Sequence, residues 1–390
     1  MKIAYFSHLD LNLYLFRLSW MKKLVENGYE VYVICPRGIF FQKFSDYGIK
    51  TIEINIERGG LNIFAETQTI VRLYNICKRE QFDIFHTFTI KPNIYGSIAG
   101  KLARIPNIIS HITGLGYIYT ENDLKANILR TLSSVLYFIS FKFVKKIVFQ
   151  NSDDLQTLKK LFNNDKAIII RGTGVNTDFF SSDKIENLYV KNFKKELVGT
   201  ENMIVITLIA RLLANKGIKE LIEAANHLIQ KHKNIFFLII GWIDKGNPAA
   251  ITKDFICNAQ KNPYMKFLGE RNDIREILGI TDIYCLPSYR EGTPRTVLEA
   301  MAMEKPIITT DAPGCRSTVE DGVNGFLVPV KNSKVLAEAI ERLIVNKDLR
   351  IKMGKASREK VVKEFSDEIV IRQVLSLYDE VLKDEYHKSS

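Results

Sequence analysis

The segment IYCLPSYREGTPRTVLEAMA, residues 283–302, gives the clearest indication of the fold. Four apolar residues are followed by a polar loop and then by an apolar-periodic segment, which predicts a buried strand, a loop and a helix in succession. We expect Thr293 to be the N-cap and Pro294 the first helical residue, because these residue types favour those positions. The helix would then present free backbone N–H groups at the carboxyl end of a sheet, where a phosphate binds readily.

The same alternation of strand and helix runs through both halves of the chain. The predicted strands are Lys2–Phe6, Glu30–Cys35, Asp83–His86, Asn107–His111, Lys145–Gln150, Met203–Ile209, Ile235–Ile240, Lys266–Leu268, Ile283–Leu286 and Pro306–Thr309. Such alternation is typical of parallel sheets covered by helices on both faces. We therefore predict an α/β fold of two Rossmann-like, doubly wound domains facing across a cleft, with boundaries at 1–180 and 200–365 and a polar linker at 176–202.

Composition excludes several other classes of protein. The chain has 390 residues, 46% of them apolar and 25% charged, which is typical of a globular protein and not of a disordered one. Its five cysteines are widely spaced, so neither a disulfide framework nor a zinc site is indicated. No signal peptide is apparent, and the longest uncharged apolar-rich stretch, residues 131–141, is too short to span a bilayer. We expect a cytoplasmic or peripheral protein.

Charged residues after two predicted strands could carry chemistry. Glu291 precedes the helix of the opening stretch and Glu299 lies inside it, so two carboxylates flank the expected anion site. Carboxylates accept hydrogen bonds from sugar hydroxyls. Arg211 and Lys216 follow another strand, and two cations at that spacing can converge on one diphosphate.

These motifs resemble a known family. Arg211, the Lys216-Gly217 pair and the E-x7-E spacing of Glu291 and Glu299 are similar to those of the retaining glycosyltransferases of family four, which have the GT-B architecture. Residues 312–316 and 321–328 also match that family, and residues 90–96 and 113–117 resemble its bacterial members that build lipid-linked oligosaccharides. The resemblance extends to PglA-type N-acetylgalactosaminyltransferases, which act on undecaprenyl-diphosphate-linked sugars.

The resemblance implies a role for each part of the chain. The first domain would bind the acceptor, the second the nucleotide-sugar donor, and residues 366–390 would form a helix crossing back to the first domain. Arg211, Lys216 and the amides of Thr296 and Val297 would contact the donor diphosphate. Glu299 would contact the ribose, Glu291 the donor sugar, and Arg271 and Asn272 the uracil. The segment Gly292, Thr293 and Pro294 would also contact the donor. No metal is implied, because the cations and the helix start can supply the positive field.

The chain departs from the family at two places in its first half. Many members have a Gly-Gly pair after the first strand, where this chain has Ser7 and His8. Many also have a histidine at the position of Thr113, whereas here a histidine stands two residues earlier, at His111. In an alternating strand His111 and Thr113 share a face, so we predict that His111 approaches the donor sugar. The alternative is a packed structural histidine. His8 is a candidate substrate contact because it follows the first strand.

A basic, aromatic stretch lies at residues 125–146, with five cations and no acid. This pattern is typical of a helix that lies at an anionic membrane surface, and the alternative is a core helix with a basic edge. No nucleic-acid-binding motif accompanies the charge, so nucleic acid is not an expected partner.

Together the sequence predicts a membrane-peripheral enzyme at the inner face of the cytoplasmic membrane. It would transfer a hexose or N-acetylhexosamine, with retention, from a UDP-sugar to a lipid-diphosphate-linked sugar, without a cofactor. A GT-B-fold epimerase or phosphorylase, or a non-catalytic sugar-nucleotide-binding partner, are the alternatives.

Overall fold

The computed structural model describes residues 1–57, 62–116, 119, 124–244, 246–247 and 249–389, except for the side chains of 125 and 384–389. The chain divides into two compact units. The first comprises Met1–Gly174 together with Asp367–Ser390, and the second comprises Val175–Ser366. The polar segment 176–202, interpreted above as a linker, lies in the second unit and contains a helix at Asn187–Val198.

The first unit is built around a parallel sheet of seven strands. Its elements in chain order are β1 (Lys2–Phe6), α1 (Asp10–Glu26), β2 (Glu30–Cys35), β3 (Lys50–Glu53), α2 (Ile63–Glu80), β4 (Ile84–Phe88), α3 (Ile90–Leu102), β5 (Asn107–Ile112), α4 (Leu124–Ser140), β6 (Lys146–Phe149), α5 (Ser152–Leu158) and β7 (Ala167–Ile169). The strands lie in the order β3-β2-β1-β4-β5-β6-β7.

Both faces of this sheet are covered, because the apolar side chains of each strand alternate between two cores. Ala4 and Phe6 of β1 belong to the core that includes Leu73 of α2. Ile3 and Tyr5 belong to the opposite core, formed with α1 and with the helix at Asp367–Ser389. The final helix of the chain is therefore part of the first unit.

The second unit contains a parallel sheet of six strands. Its elements are α6 (Asn187–Val198), β8 (Ile204–Ile209), α7 (Ile218–Lys231), β9 (Ile235–Ile240), α8 (Lys253–Ala259), β10 (Met265–Gly269), α9 (Ile274–Ile280), β11 (Ile283–Leu286), α10 (Arg295–Ala302), β12 (Ile307–Thr310), β13 (Gly325–Val328), α11 (Ser333–Val345) and α12 (Lys347–Glu364), and the final helix of the first unit is α13 (Asp367–Ser389). The order is β10-β9-β8-β11-β12-β13. Both units are doubly wound parallel-sheet domains, as the alternation of strands and helices predicted.

Candidate active site

The strand order of the second unit reverses between β8 and β11, which are neighbours in the sheet. Doubly wound sheets bind ligands outside the carboxyl ends of their strands at such a reversal. Arg211 and Lys216 lie in the loop after β8, and Glu291 lies in the loop after β11. The topology therefore brings the residues predicted from two separate sequence motifs to one place.

Backbone contacts fix these two loops against each other. The Tyr289 amide donates to the Asn215 carbonyl at 2.9 Å, and the Tyr289 hydroxyl donates to Glu220 Oε1 at 2.6 Å. A Cβ at Gly217 would lie only 2.1 Å from the Pro287 carbonyl oxygen, and Gly217 has a φ of +73°. Only glycine fits such a close approach in that conformation. These contacts hold the two loops against each other.

Lys216 and Glu291 form an ion pair across the two loops. Their side chains are 13% and 15% exposed, so the pair is largely shielded from water. The Glu291 amide also donates to the Pro313 carbonyl at 2.9 Å, and a Cβ at Gly314 would lie 2.1 Å from the Glu291 carbonyl oxygen. The loop at Ala312–Gly314 therefore supports the backbone that carries Glu291.

Arg211 is held by a residue that the sequence did not single out. Its Nη1 atom donates to Asp244 Oδ2 at 2.8 Å, and the Asp244 side chain is only 9% exposed. Asp244 lies in the loop after β9, and this loop contacts the Arg211 loop through the Leu212 amide, which donates to the Trp242 carbonyl at 2.9 Å. Asp244 orients the guanidinium that we expect at the diphosphate.

The helix start differs in detail from the prediction. Helix α10 begins at Arg295, and its N-cap residue is Pro294, with no side-chain capping bond. Thr293 is therefore not the N-cap. Pro294 was expected to be the first helical residue, but the helix begins one residue later, at Arg295. The Val297 amide donates to the Pro294 carbonyl at 3.0 Å, so the prediction that it faces a phosphate is not supported. The amides of Arg295 and Thr296 remain the candidates.

The rest of the E-x7-E segment packs closely around this helix start. Gly292 and Pro294 are buried, and the Thr296 hydroxyl donates to the Ile209 carbonyl at the end of β8, at 3.0 Å. The first turn of α10 is thereby tied to the strand that leads into the Arg211 loop.

Glu299 is buried inside α10, with its side chain 11% exposed. Arg295 Nε donates to Glu299 Oε1 at 3.0 Å. Burial raises the pKa of Glu299 above its ordinary value, and the positive charge of Arg295 opposes that rise. In this structure Glu299, which was predicted to bind a ribose, accepts a hydrogen bond from Arg295 of the same helix.

The predicted base-contacting residues follow β10, at the same end of the sheet. The Arg271 guanidinium donates through Nε to Asp273 Oδ1 at 2.8 Å, and this bond lowers the pKa of Asp273. Asn272 is exposed. Arg271 is thus oriented by the residue that precedes α9.

In the first unit the strand order reverses between β1 and β4. His8 follows β1, and its Nδ1 lies 2.8 Å from the Thr89 hydroxyl, which follows β4. Thr89 has a φ of +76°, a strained conformation for a residue other than glycine. Thr113 lies just after β5 and is half-buried, and Tyr117 of the same motif lies outside the described residues.

His111 does not lie at an accessible edge. It is completely buried in β5, stacked on Trp20, with Nδ1 3.3 Å from His86 Nε2. His86 Nδ1 lies 2.7 Å from the hydroxyl of Tyr378 in α13. The prediction that His111 contacts the donor sugar is not supported by this geometry, because α1 and α13 cover the face of the sheet to which it points.

The chain is similar to known proteins along nearly its whole length. The family model of the group 1 glycosyl transferases matches residues 190–360, and a glycosyl transferase 4-like model matches residues 2–151. An N,N'-diacetylbacillosaminyl-diphospho-undecaprenol alpha-1,3-N-acetylgalactosaminyltransferase of Campylobacter jejuni is 32% identical over 98% of this chain and 100% of the relative. The chain is a group 1 glycosyltransferase.

Other relatives of this glycosyltransferase are similar along nearly their whole length. A UDP-Gal:alpha-D-GlcNAc-diphosphoundecaprenol alpha-1,3-galactosyltransferase of Escherichia coli is 25% identical and covers 93% of this chain and 92% of the relative. The crystal structure of a glycosyltransferase from Rickettsia africae aligns with a TM-score of 0.80, at 25% identity over 98% of both chains. The GT-B fold class predicted from the sequence is confirmed.

Sequence reasoning missed several residues of this glycosyltransferase that contact predicted site residues, among them Asp244 and Arg295. Asp244 stands in a loop without a motif, and nothing in its spacing pointed to Arg211. Arg295 lies inside the quoted stretch, and its spacing of four residues from Glu299 on a helix was a usable signal for their ion pair.

Two features are absent from the part of the chain that the structure describes, a metal-binding cluster and a membrane-spanning helix. No group of three His, Cys, Asp or Glu side chains there could hold a metal ion. No helix within those ranges is both long enough and apolar enough to cross a membrane.

Proposed function

We propose that this glycosyltransferase moves a hexose or N-acetylhexosamine from a UDP-sugar to a sugar carried on undecaprenyl diphosphate, with retention at the anomeric carbon. The names of both relatives above specify an acceptor sugar on diphospho-undecaprenol, and that of the E. coli relative specifies UDP-Gal as donor. A relative at 32% identity over the whole chain supports the same class of acceptor here.

The main support for a UDP-sugar donor is the Lys216–Glu291 ion pair, which lies with the Arg211 loop at the β8–β11 reversal. Lys216 and Arg211 would neutralise the donor diphosphate, as charge-assisted donors do. Glu291 would accept hydrogen bonds from the hydroxyls of the donor sugar, and Glu299 from those of the ribose. Arg271 and Asn272 would lie beside the uracil.

The chemistry needs no protein nucleophile in this proposal. The bond between the anomeric carbon and the diphosphate oxygen breaks, and a bond to the acceptor oxygen forms on the same face of the sugar. The acceptor hydroxyl passes its proton to an oxygen of the departing phosphate, so UDP leaves with that proton. Arg211, Lys216 and the start of α10 would stabilise the negative charge that grows on UDP in the transition state.

A lipid-linked acceptor requires access to a membrane, and α4 offers a suitable surface. Its exposed apolar side chains recur every three or four residues and so share one helix face. Leu124, Ile128, Leu132, Val135 and Phe138 form this row, and the exposed Ile139 lies next to it. Ile128 is 59% exposed and Val135 52%, which is unusual for a row of large apolar residues on a soluble surface.

The opposite face of α4 packs into the first unit, where Tyr137 and Phe141 are 1% exposed. These two aromatic residues therefore belong to the core and not to a membrane surface. Lys145 donates to the Val381 carbonyl, and Lys146 pairs with Glu380 at 2.6 Å, so both cations contact α13. The side chain of Lys125 lies outside the described residues.

Arg130 and Lys142 are the two cations of the stretch whose described contacts are with aromatic rings, those of Tyr119 and Phe138. Each cation near an anionic leaflet contributes about 1 kcal/mol. The apolar row and these cations support reversible docking of the first unit on the inner leaflet, with the enzyme peripheral to the cytoplasmic membrane.

The proposal is tested by incubating the enzyme with a panel of UDP-sugars and a purified undecaprenyl-diphosphate-linked N-acetylhexosamine. We expect UDP release together with a lipid product heavier by one sugar, and an unchanged anomeric configuration by NMR. The same acceptor sugar without its lipid diphosphate is the control and should react much more slowly. Equal rates with the free sugar would contradict the acceptor class, and no UDP release from any donor would contradict the donor class.

A further inference from the structure

Three cations near the β8–β11 reversal each pair with a carboxylate in this structure. The pairs are Arg211–Asp244, Lys216–Glu291 and Arg295–Glu299. Arg211 and Lys216 are the cations proposed above for the diphosphate. Arg295 has no role in that proposal, although it occupies the carboxylate assigned to the ribose.

The placement of Arg295 conflicts with two local rules of helix stability. It is the first residue of α10, where the positive end of the helix dipole disfavours a cation. Its partner Glu299 lies four residues later, and an ion pair with the cation nearer the N-terminus is the less favourable orientation. Local rules are most often broken at functional positions, so the conflict calls for a functional reason.

An anion at the start of α10 would remove the conflict. The Arg295 side chain is 27% exposed, so it is not fully buried in the core, whereas the Glu299 side chain is only 11% exposed. Helical side chains lean toward the N-terminus, so a change of rotamer turns Arg295 back toward the helix tip. Its planar fork then suits a phosphate. Without an anion, the nearly buried Glu299 carboxylate needs a partner, and Arg295 is the residue that supplies one.

We propose that Arg295 is a third cation of the donor site that exchanges partners when the nucleotide binds. In this structure it neutralises Glu299. When the ribose hydroxyls donate to Glu299, Arg295 turns to the donor diphosphate and joins Arg211 and Lys216. This inference rests on the proposed function, because it takes the UDP moiety as the ligand.

The exchange makes a prediction that separates two ligands. Uridine brings the ribose but no phosphate, so it must displace Arg295 without offering it a new partner. UDP offers both. Removing Arg295 should therefore weaken the binding of UDP and leave the binding of uridine unchanged or tighter, because Glu299 is then open to the ribose.

The test measures dissociation constants of UDP and uridine by calorimetry for the wild type and for Arg295→Ala, at one fixed ionic strength. We expect UDP to bind at least tenfold more weakly to the variant, with no weakening for uridine. Arg295→Lys keeps the positive charge but not the planar guanidinium, so its affinity for UDP should lie between those of the wild type and Arg295→Ala. Lys352→Ala removes an exposed cation of α12 in the same unit and should change neither constant.

The outcomes are distinguishable. An equal loss of affinity for UDP and uridine would mean that Arg295 only holds Glu299 in place, and the exchange would be wrong. Should Arg295→Ala fail to fold by circular dichroism, Arg295→Lys and Arg295→Gln carry the same comparison. A wild type that binds no UDP would overturn the proposed function itself.

Discussion

Replacing Lys216 by methionine removes one charge from the donor site and keeps most of the side-chain volume. In the structure Lys216 pairs with Glu291, and both side chains are at least 85% buried. The change therefore has two effects. It takes a cation from the departing diphosphate, and it removes the cation that pairs with the Glu291 carboxylate.

The two effects have different sizes and different readouts. A charge-assisted hydrogen bond contributes about 1.5–3 kcal/mol, which corresponds to a loss of roughly 10- to 150-fold in rate if it acts in the transition state. An uncompensated, largely buried carboxylate costs about 1–3 kcal/mol of stability. For a unit of this size that corresponds to a melting temperature lower by about 2–12 °C.

The double variant Lys216→Met/Glu291→Gln tests the stability effect, whereas Lys216→Met alone tests the effect on rate. The neutral amide no longer needs a cation, so we expect the melting temperature to return toward that of the wild type while turnover stays at least tenfold reduced. Turnover is measured by UDP release with the lipid-linked acceptor. Lys219→Met is the matched control, because Lys219 is 68% exposed and its pair with Glu223 spans 3.9 Å. Wild-type turnover in Lys216→Met would refute the role of Lys216 at the diphosphate.

Three further predictions follow from other parts of the structure. Glu291→Gln should weaken use of the donor sugar but keep UDP binding, and loss of UDP affinity by calorimetry would show that the carboxylate is wrongly assigned. Ile128→Glu should reduce sedimentation with anionic vesicles, whereas Val345→Glu, at a position that is also exposed but lies in the second unit, should not; equal losses would contradict docking through α4. Burial, with Arg17 nearby, holds the pKa of His86 well below its ordinary value, and burial with His86 does the same for the pKa of His111. The unfolded chain therefore binds more protons below about pH 6.5, and stability falls there as pH decreases. The double variant His86→Gln/His111→Gln should lose less stability than the wild type between pH 7.5 and 5 in thermal melts, and parallel losses would count against the buried pair.

The sequence predicted central strands well and edge strands poorly. Glu30–Cys35, Ile235–Ile240 and Ile283–Leu286 are found with the predicted bounds, because long apolar runs leave no other interpretation. Strands β3, β7 and β13 were missed. Each is three or four residues long and lies at the edge of its sheet. Strands β3 and β7 are also only partly buried, so no long apolar run marks them.

The candidate site was predictable to the extent that its residues follow strands. Arg211, Lys216 and Glu291 could be brought together because the carboxyl ends of parallel strands share one edge. His111 shows the limit of that reasoning. His111 lies in β5, but the face to which it points is covered by α13, and Tyr378 of that helix lies 292 residues from His86 in the chain. No local pattern reports a helix that returns from so far away.

Our assignment of donor and acceptor binding to the two units depends on the residues in their loops and not on the fold. Both sheets reverse their strand order in the same way, so topology alone would allow either reversal to bind a nucleotide. At the β1–β4 reversal the structure places an imidazole and a hydroxyl, those of His8 and Thr89, which suit the hydroxyls of a sugar. At the β8–β11 reversal it places Arg211 and Lys216, together with the start of a helix. A diphosphate needs positive charge, so we propose that the second unit binds the donor and the first unit binds the acceptor.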